Sequence, residues 1–182
     1  MDDGPRSARL RLRFVRFGEG EQLGRRYRPD PGGFNDFGDS PEPRPGPGRA
    51  APPPETELRN DDGGQLWILP IDGGEALGTV QYHRLRYGGN AESMAWMLGI
   101  DLLPGARGQG YGAEAQRLLA DWLFDATPAN RVEAQTDVEN IGEIRSLERA
   151  GFTREGILRG AQFRAGAYHD LVVYSRLRSD PR

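Results

Sequence analysis

The most informative segment of the chain reads Arg107-Gly108-Gln109-Gly110-Tyr111-Gly112. It stands between a strand-like run that ends at Leu103 and a helix-like run over 110–124. Glycines at such a junction leave backbone N–H groups uncovered at the positive end of a helix, where a phosphate can approach them. The spacing Arg-x-x-Gly-x-Gly is too short for the dinucleotide fingerprint and lacks the Lys-Ser/Thr ending of a P-loop. The segment therefore predicts a phosphate-binding turn, and a glycine-rich turn without a ligand is the alternative.

Composition argues against several classes of function. The chain has 182 residues, enough for a single domain over 1–182, and a formal net charge of −3, which argues against nucleic-acid or anionic-membrane partners. It contains no cysteine, so we expect no disulfide, no thiolate zinc site and no cysteine nucleophile. The two histidines, His83 and His169, lie far apart, and nothing near them has metal-ligand spacing. We therefore expect no metal site.

The sequence carries no targeting signal that we recognise. No apolar run approaches the roughly 18 residues of a membrane span. The N-terminus, MDDGPRSARL, lacks the hydrophobic stretch of a signal peptide. These features predict a cytoplasmic protein.

Segment 29–54 differs from the rest of the chain, because it contains nine prolines and five glycines. Proline lacks the donor N–H and glycine carries extra conformational entropy, so the segment cannot form a helix or a central strand. We expect a long loop or a partly disordered segment within the single domain.

The remaining sequence alternates strand and helix patterns. Leu10, Leu12 and Phe14 predict a first strand, and a meander of three strands follows. An apolar stripe predicts the helix after the glycine segment. Asn140 and Gly151 bracket a second helix as its caps. The three strands of the meander are 65–71, 76–87 and 93–103. The later predicted strands are 131–138, 152–159 and 168–177, the last two joined by a Gly-Ala-rich loop. This order predicts an α+β fold with a single mixed, mostly antiparallel sheet flanked by helices.

Four parts of the sequence together resemble the Gcn5-related N-acetyltransferase (GNAT) superfamily. The glycine segment resembles its pyrophosphate-binding loop, and the order of elements over 65–177 is similar to its core. Segments 99–104 and 131–134 resemble two of its central strands. Segments 140–152 and 168–175 resemble the branch typified by the ribosomal-protein N-terminal acetyltransferases.

The resemblance implies the acyl-CoA N-acyltransferase fold, with acetyl-CoA as co-substrate. A bulge in the strand at 99–104 would free backbone groups near Ile100 and Leu102 to bind the pantetheine arm and polarise the acetyl carbonyl. The strand at 131–134 would splay from its neighbour to admit the cofactor. Asn140 would hydrogen-bond the pantetheine. The residues expected to hold the pyrophosphate are Arg107, Gly108, Gln109, Gly110, Tyr111 and Gly112.

The sequence departs from the branch in three places. Glu143 stands where relatives carry a serine assigned to cofactor or leaving-thiolate contacts, and we expect it to complete a capping box with Asn140. Gln162 stands where some relatives carry a glutamate proposed as the base, and glutamine cannot take a proton. The N-terminal helices that wall the acceptor pocket in the family are not recognisable, and segment 18–54 takes their place.

The resemblance implies an N-acetyltransferase that moves an acetyl group from acetyl-CoA directly to a primary amine, either a protein N-terminus or a small molecule. Such a transfer needs a base for the protonated amine and an oxyanion stabiliser, but no protein nucleophile. We favour Glu133 as the base. It sits opposite the apolar face of its strand, although an ion-pair or solvated role fits that position too. Glu92 and Asp101 are comparable candidates, and solvent can also serve.

The proton donor to the leaving thiolate is Tyr174 or Tyr168 in this interpretation, although tyrosines in terminal strands are more often packing residues. Five acidic residues in the acceptor-side segment favour a cationic amine, with solvated loop charges as the commoner explanation. They are Glu19, Glu21, Asp30, Asp36 and Asp39.

Two other functions fit parts of the sequence. A non-catalytic acyl-CoA-binding or interaction module would explain the missing serine and glutamate. A nucleotide-phosphate binder fits the glycine segment but not the segments after it. The sequence leaves the acceptor, the acyl-chain preference and a possible homodimer open.

Overall fold

The computed structural model describes residues 4–19, 33–34 and 53–182. The proline- and glycine-rich segment 29–54 therefore lies almost wholly outside the described residues. So do four of the acidic residues considered on the acceptor side, which are Glu21, Asp30, Asp36 and Asp39. A single domain over the whole chain and partial disorder at 29–54 remain predictions.

The described residues form one eight-stranded sheet and two α-helices. The strands are β1 Leu10–Phe14, β2 Arg59–Asn60, β3 Gly63–Pro70, β4 Gly78–Arg86, β5 Met94–Leu102, β6 Arg131–Asp137, β7 Thr153–Arg164 and β8 Ala167–Leu177. The helices are α1 Tyr111–Ala126 and α2 Ile141–Arg149. The predicted elements are confirmed to within a few residues at most ends, and the two-residue β2 had no sequence signal.

The sheet is mixed and mostly antiparallel, as the pattern predicted. Its strand order is β1-β3-β4-β5-β6-β8-β7, and β2 pairs with the beginning of β3. Among the described strands only β5 and β6 run parallel, because α1 crosses over between them. The carboxyl ends of β5 and β6 therefore point the same way, and each is followed by a helix.

The core lies between the sheet and the two helices. The α1 stripe of Ala115, Leu119 and Leu123 is fully buried, as its spacing predicted. The Trp122 ring on the same helix meets the rings of Phe14 and Tyr82 edge-on, with both centroid separations at 5.8 Å. These contacts hold α1 across β1 and β4, and the helix begins at Tyr111, nine residues after the last residue of β5.

The hairpin of β7 and β8 differs from its prediction. Instead of a Gly-Ala-rich loop, β7 extends to Arg164, and only Ala165 and Gly166 form the turn, both with positive φ (49° and 79°). The ladder is interrupted at the Gly-Ala run and resumes at Gln162, because a register shift between Leu158 and Gln162 accommodates the extra residues. Strand pairing on either side of the run outweighs the weak strand propensity of glycine and alanine.

Candidate cofactor-binding site

The glycine turn has the backbone that its sequence predicted. Gly108 and Gly110 have φ of 75° and 81°, a left-handed conformation that favours glycine. Gly110 occupies the N-cap of α1, and no side chain caps the helix there. In the described part of the chain, no hydrogen-bond acceptor is recorded for the N–H groups of residues 108–112. Five successive amides thus remain available at the positive end of a 16-residue helix.

Side chains on both sides hold this turn in place. Gln109 Nε2 donates to the Gly105 carbonyl at 2.7 Å, which closes the turn on itself. Arg107 Nε donates to the Leu102 carbonyl at 3.0 Å, which ties the turn to the last residue of β5. These two hydrogen bonds therefore hold the backbone of the turn beside the last residue of β5.

Arg9 is part of this site, and sequence reasoning missed it. Its Nη1 donates to the Gln109 carbonyl at 3.2 Å, and its guanidinium lies 5.0 Å from the centre of the Tyr111 ring. Its Nε donates to Glu114 in the first turn of α1 at 2.8 Å. Arg9 directly precedes β1, about 100 residues from the turn in sequence, and no local pattern could connect the two.

A gap opens between β5 and β6 next to the turn. Their parallel pairing covers only three pairs and stops at Leu98 and Ala134. Four more residues of β5 and three of β6 continue beyond that point without pairing to each other. The splay expected for the strand at 131–134 is thus present in the strand register.

The expected bulge in β5 was wrong. The ladder between β4 and β5 runs without a shift from Gly78 opposite Leu102 to Arg86 opposite Met94. A bulge is not needed to free backbone groups, because the departure of β6 already leaves that edge of β5 open. The resemblance located the open edge correctly and gave the wrong cause for it.

The direction of the β5 backbone groups follows from its ladder. Leu103 N–H donates to the Leu77 carbonyl, and Tyr87 N–H donates to the Ser93 carbonyl. Because hydrogen-bonded pairs alternate along an antiparallel ladder, odd-numbered residues of β5 turn their backbone groups toward β4. Ile100 and Leu102 turn theirs toward the gap, where the Leu102 carbonyl already accepts from the turn. Ile100 therefore offers an N–H and a carbonyl to the space between the strands.

The two helices and the open end of β5 converge at one point. A Cβ atom on Gly112 would lie 2.8 Å from the Ser146 hydroxyl oxygen, so glycine allows α1 and α2 to approach closely there. The same atom would lie 3.5 Å and 3.9 Å from methyl carbons of Leu102 and Ile100. The glycine turn, α2 and the open edge of β5 thus border one space.

The capping box predicted at the start of α2 is only half formed. Asn140 Oδ1 accepts from the Glu143 N–H at 3.3 Å, and Asn140 Nδ2 donates to Thr136 at 3.0 Å. The Glu143 carboxylate does not return to Asn140, and it accepts instead from Gln116 Nε2 on α1. The prediction for the Glu143 side chain was wrong, because a buried amide on a neighbouring helix offered it a donor that the local sequence does not reveal.

The environment of Glu143 changes its titration. Burial is the largest influence, and together with the nearby charge of Asp101 it raises the pKa of Glu143 to about 7, against the opposing effect of the Gln116 hydrogen bond. Charged and neutral forms are therefore both accessible near neutral pH.

Glu133 is buried, and its carboxylate is already engaged. Arg131 Nε donates to Glu133 Oε1 at 2.6 Å, and the Tyr87 hydroxyl donates to the same oxygen. Arg131 also binds Glu155, whose pKa it lowers to about 2. Glu133 pairs with Met97, three residues before Ile100, which places it roughly 10 Å along the strand from the open edge.

The other carboxylates considered as bases lie at opposite ends of β5. Glu92 belongs to an exposed 3-10 turn, Ala91–Ser93, before the strand begins. Asp101 lies in the open end, between Ile100 and Leu102. The structure separates Glu92 from the gap and places Asp101 beside it.

The two tyrosines considered as proton donors occupy different environments. Tyr174 is buried in the core, and its hydroxyl donates to Glu148 at 3.0 Å near the end of α2. Burial, with a smaller contribution from Glu148, raises the pKa of Tyr174, so it stays protonated at neutral pH. Tyr168 is 74% exposed and packs edge-on against Phe163 in the β7–β8 hairpin.

A family model described as an acetyltransferase (GNAT) domain matches residues 9–153. This range holds the glycine turn, both helices and the gap between β5 and β6. The chain therefore belongs to the GNAT acetyltransferase family, as the resemblance predicted.

Known relatives agree with this assignment. The chain is 31% identical to the uncharacterized N-acetyltransferase p20 of Bacillus licheniformis over 114 residues, which is 62% of this chain and 61% of that protein. The match thus spans about three fifths of the relative's length.

Two solved structures share the fold. The spermidine N-acetyltransferase of Vibrio cholerae, bound to CoA and spermine, aligns with a TM-score of 0.57 and 20% identity over 66% of this chain and 68% of its own. A ribosomal L7/L12 alpha-N-protein acetyltransferase in complex with coenzyme A aligns with a TM-score of 0.55 and 22% identity, over 64% of this chain and 62% of its own. Both of those solved structures contain coenzyme A.

Within residues 4–19, 33–34 and 53–182, no group of three or more histidine and acidic side chains is arranged to hold a metal ion. None of the helices that the structure describes is both long and apolar enough to cross a membrane.

Proposed function

We propose that this protein is an N-acetyltransferase that transfers the acetyl group of acetyl-CoA directly to a primary amine. The observation that carries the proposal is the junction of two features at the end of β5. Five available amides at residues 108–112 form an anion site, and the open edge at Ile100 adjoins it. Membership of the GNAT family supports the same function.

We propose a binding role for each part of the junction. The amides of residues 108–112 would hold the diphosphate, with Arg107 adding positive charge beside the turn. Arg9, whose charge is paired with Glu114, would help to hold the turn in place. The pantetheine arm would pair with the backbone of Ile100 along the open edge of β5. Asn140 Nδ2 donates one of its two N–H groups to Thr136, and it can donate the other to the pantetheine arm.

The chemistry requires an unprotonated amine and a stabilised oxyanion. The Ile100 N–H would donate to the acetyl oxygen as negative charge develops on it. Glu133 remains our proposed base, and it would receive the amine proton through water because it lies along the strand from the open edge. Tyr174 remains a proposed proton donor, although its hydroxyl points toward Glu148.

The acceptor is a protein N-terminus or a small-molecule amine, consistent with the branch that segment 140–152 resembles. The engagement of Glu133 by Arg131 favours a second candidate, a non-catalytic acyl-CoA-binding or interaction module with the same fold. In such a module the carboxylate would have only a structural role.

One assay separates these two functions. Purified protein is incubated with acetyl-CoA and a panel of amines, namely N-terminal peptides, polyamines and amino acids, and released thiol is measured. The proposal predicts thiol release that depends on one class of amine and yields the acetylated product by mass spectrometry. Binding of coenzyme A without thiol release for any amine would identify the non-catalytic module.

A further inference from the structure

Arg9 joins the segment before β1 to both the glycine turn and the first turn of α1. Its Nη1 donates to the Gln109 carbonyl at 3.2 Å. Its Nε donates to Glu114 Oε2 at 2.8 Å, and its Nη2 donates to the same oxygen. The Ser7 hydroxyl donates to the other carboxylate oxygen, Oε1. Both oxygens of Glu114 are therefore bound by side chains of residues 5–9, which we call the N-terminal segment.

The backbone of the N-terminal segment is held in place without the Arg9 side chain. The Leu12 N–H donates to the Pro5 carbonyl at 2.8 Å, so the segment folds back on β1. The Ile71 N–H, just after β3, donates to the Arg9 carbonyl, also at 2.8 Å. A substitution at Arg9 should therefore remove its side-chain contacts and leave the segment in position.

The contact with Gln109 defines the side of the turn on which Arg9 lies. The carbonyl and the N–H of a trans peptide lie in one plane and point in opposite directions. Because the Gln109 carbonyl points toward Arg9, the Gly110 N–H of the same peptide points away from it. A Cβ atom on Gly110 would lie 3.6 Å from Arg9 Nη2, so the guanidinium packs against the backbone of the turn. Arg9 therefore lies behind the turn, and the Gly110 N–H faces the opposite side.

Glu114 brings a negative charge close to the proposed diphosphate site. It is the acidic residue in the first turn of α1, directly after the amides of residues 108–112. A carboxylate and a phosphate are both attracted to the positive end of a helix, and two anions at the same helix end repel each other. The Glu114 side chain is only 10% exposed, so solvent screens its charge weakly. Arg9 supplies the opposite charge, and the pair as a whole adds no net charge beside the turn.

We propose that Arg9 is a positioning residue for coenzyme A. It compensates the charge of Glu114 behind the glycine turn, and it orients the peptide between Gln109 and Gly110 so that the Gly110 N–H faces the diphosphate. The inference rests on the coenzyme A site proposed above. It adds to that site a residue that acts through the turn and through Glu114, and it gives the N-terminal segment a part in cofactor binding.

The test is a cycle of three variants, namely Arg9→Gln, Glu114→Gln and the double variant that carries both changes. The matched control is Arg11→Gln. Arg11 is exposed on β1 and pairs with Leu69 of β3, so the control removes the same charge from the same part of the chain. Coenzyme A affinity is measured by calorimetry at low and at high salt. The KM for acetyl-CoA and the kcat are measured for acetyl transfer.

We expect Arg9→Gln to weaken coenzyme A binding about tenfold at low salt, because the Glu114 carboxylate is then uncompensated. The loss should shrink at high salt, where the repulsion is screened. The double variant should bind within about threefold of the wild type, since it restores the net charge behind the turn. In acetyl transfer, Arg9→Gln should raise the KM for acetyl-CoA and leave kcat near the wild-type value. Glu114→Gln should bind at least as tightly as the wild type, and the control should bind equally well.

Two outcomes would overturn this role of Arg9. If the double variant binds coenzyme A as weakly as Arg9→Gln does, the loss comes from missing contacts of Arg9 and charge compensation plays no part. If Arg9→Gln binds as tightly as the wild type, Arg9 does not position the site. A wild type that binds no coenzyme A would refute the proposed function as well. A wild type that binds it, with variants that fail these expectations, would refute only the role of Arg9.

Discussion

The strand pattern around Glu133 is compatible with two roles, an ion-pair partner of Arg131 and the proposed base. Its position opposite the apolar face of β6 predicted a side chain on the face away from the helices, and the structure places it there, in contact with Arg131 and Tyr87. The ion pair explains why a carboxylate is tolerated in a buried position. It does not exclude proton transfer, because one carboxylate oxygen, Oε2, has no hydrogen bond recorded within the described residues.

The Glu133→Gln variant separates the two roles. If Glu133 is the base, we expect kcat for acetyl transfer to fall about 100-fold at neutral pH, with the acidic limb of the pH profile lost. The matched control is Glu155→Gln, which removes the other carboxylate bound to Arg131 and leaves Glu133 in place. The control should keep kcat near the wild-type value. An unchanged rate and profile in Glu133→Gln would leave Glu133 only the structural role of an ion-pair partner.

The residues that sequence reasoning identified or missed differ in the range of their contacts. The backbone of the turn glycines and the cap role of Asn140 were predicted correctly because both depend on local backbone geometry, which short spacings encode. Arg9 was missed, and the Glu143 side chain was misplaced, because both depend on partners in other elements. Gln116 is 27 residues from Glu143, and Arg9 is 105 residues from Glu114.

At the scale of elements, apolar periodicity predicted α1 and the central strands, because a buried face of a helix or strand carries apolar residues at regular spacings. The β7–β8 hairpin was only partly predicted, since glycine and alanine do not give a regular apolar spacing. The extent of β7 depends instead on its pairing with β8 on either side of the Gly-Ala run. The open edge of β5 followed from the resemblance alone. Its physical cause is the early end of the β5–β6 ladder, which no local pattern encodes.

The glycine turn provides a test at this scale. Gly110→Ala places a side chain at φ 81°, which costs about 1 kcal/mol or more, so the free turn would relax and binding would have to restore it. We expect coenzyme A to bind roughly five- to thirtyfold more weakly, as measured by calorimetry. Gly73→Ala introduces the same strain at φ 89° in the β3–β4 turn and should leave the affinity unchanged. Equal affinities in the two variants would argue against a role of the turn in binding.

At the scale of the whole molecule, the proposed coenzyme A site is built from described residues, whereas the proposed acceptor-side segment is represented by only a few of them. Arg164 of β7 binds Asp137 and donates to the Gly33 carbonyl at 3.2 Å, and its guanidinium lies 5.1 Å from the Phe34 ring centre. These contacts bring two residues of the acceptor-side segment to the end of β6. The amine panel tests the identity of the proposed acceptor directly.

The central claim is that the amides of residues 108–112 bind the diphosphate of coenzyme A. The most direct measurement is a titration of isotopically labelled protein with coenzyme A, followed through its backbone amide resonances. We predict saturable binding in which the largest shifts fall on residues 108–112 and on Ile100. Absence of binding, or binding that leaves the resonances of residues 108–112 unchanged, would contradict the claim.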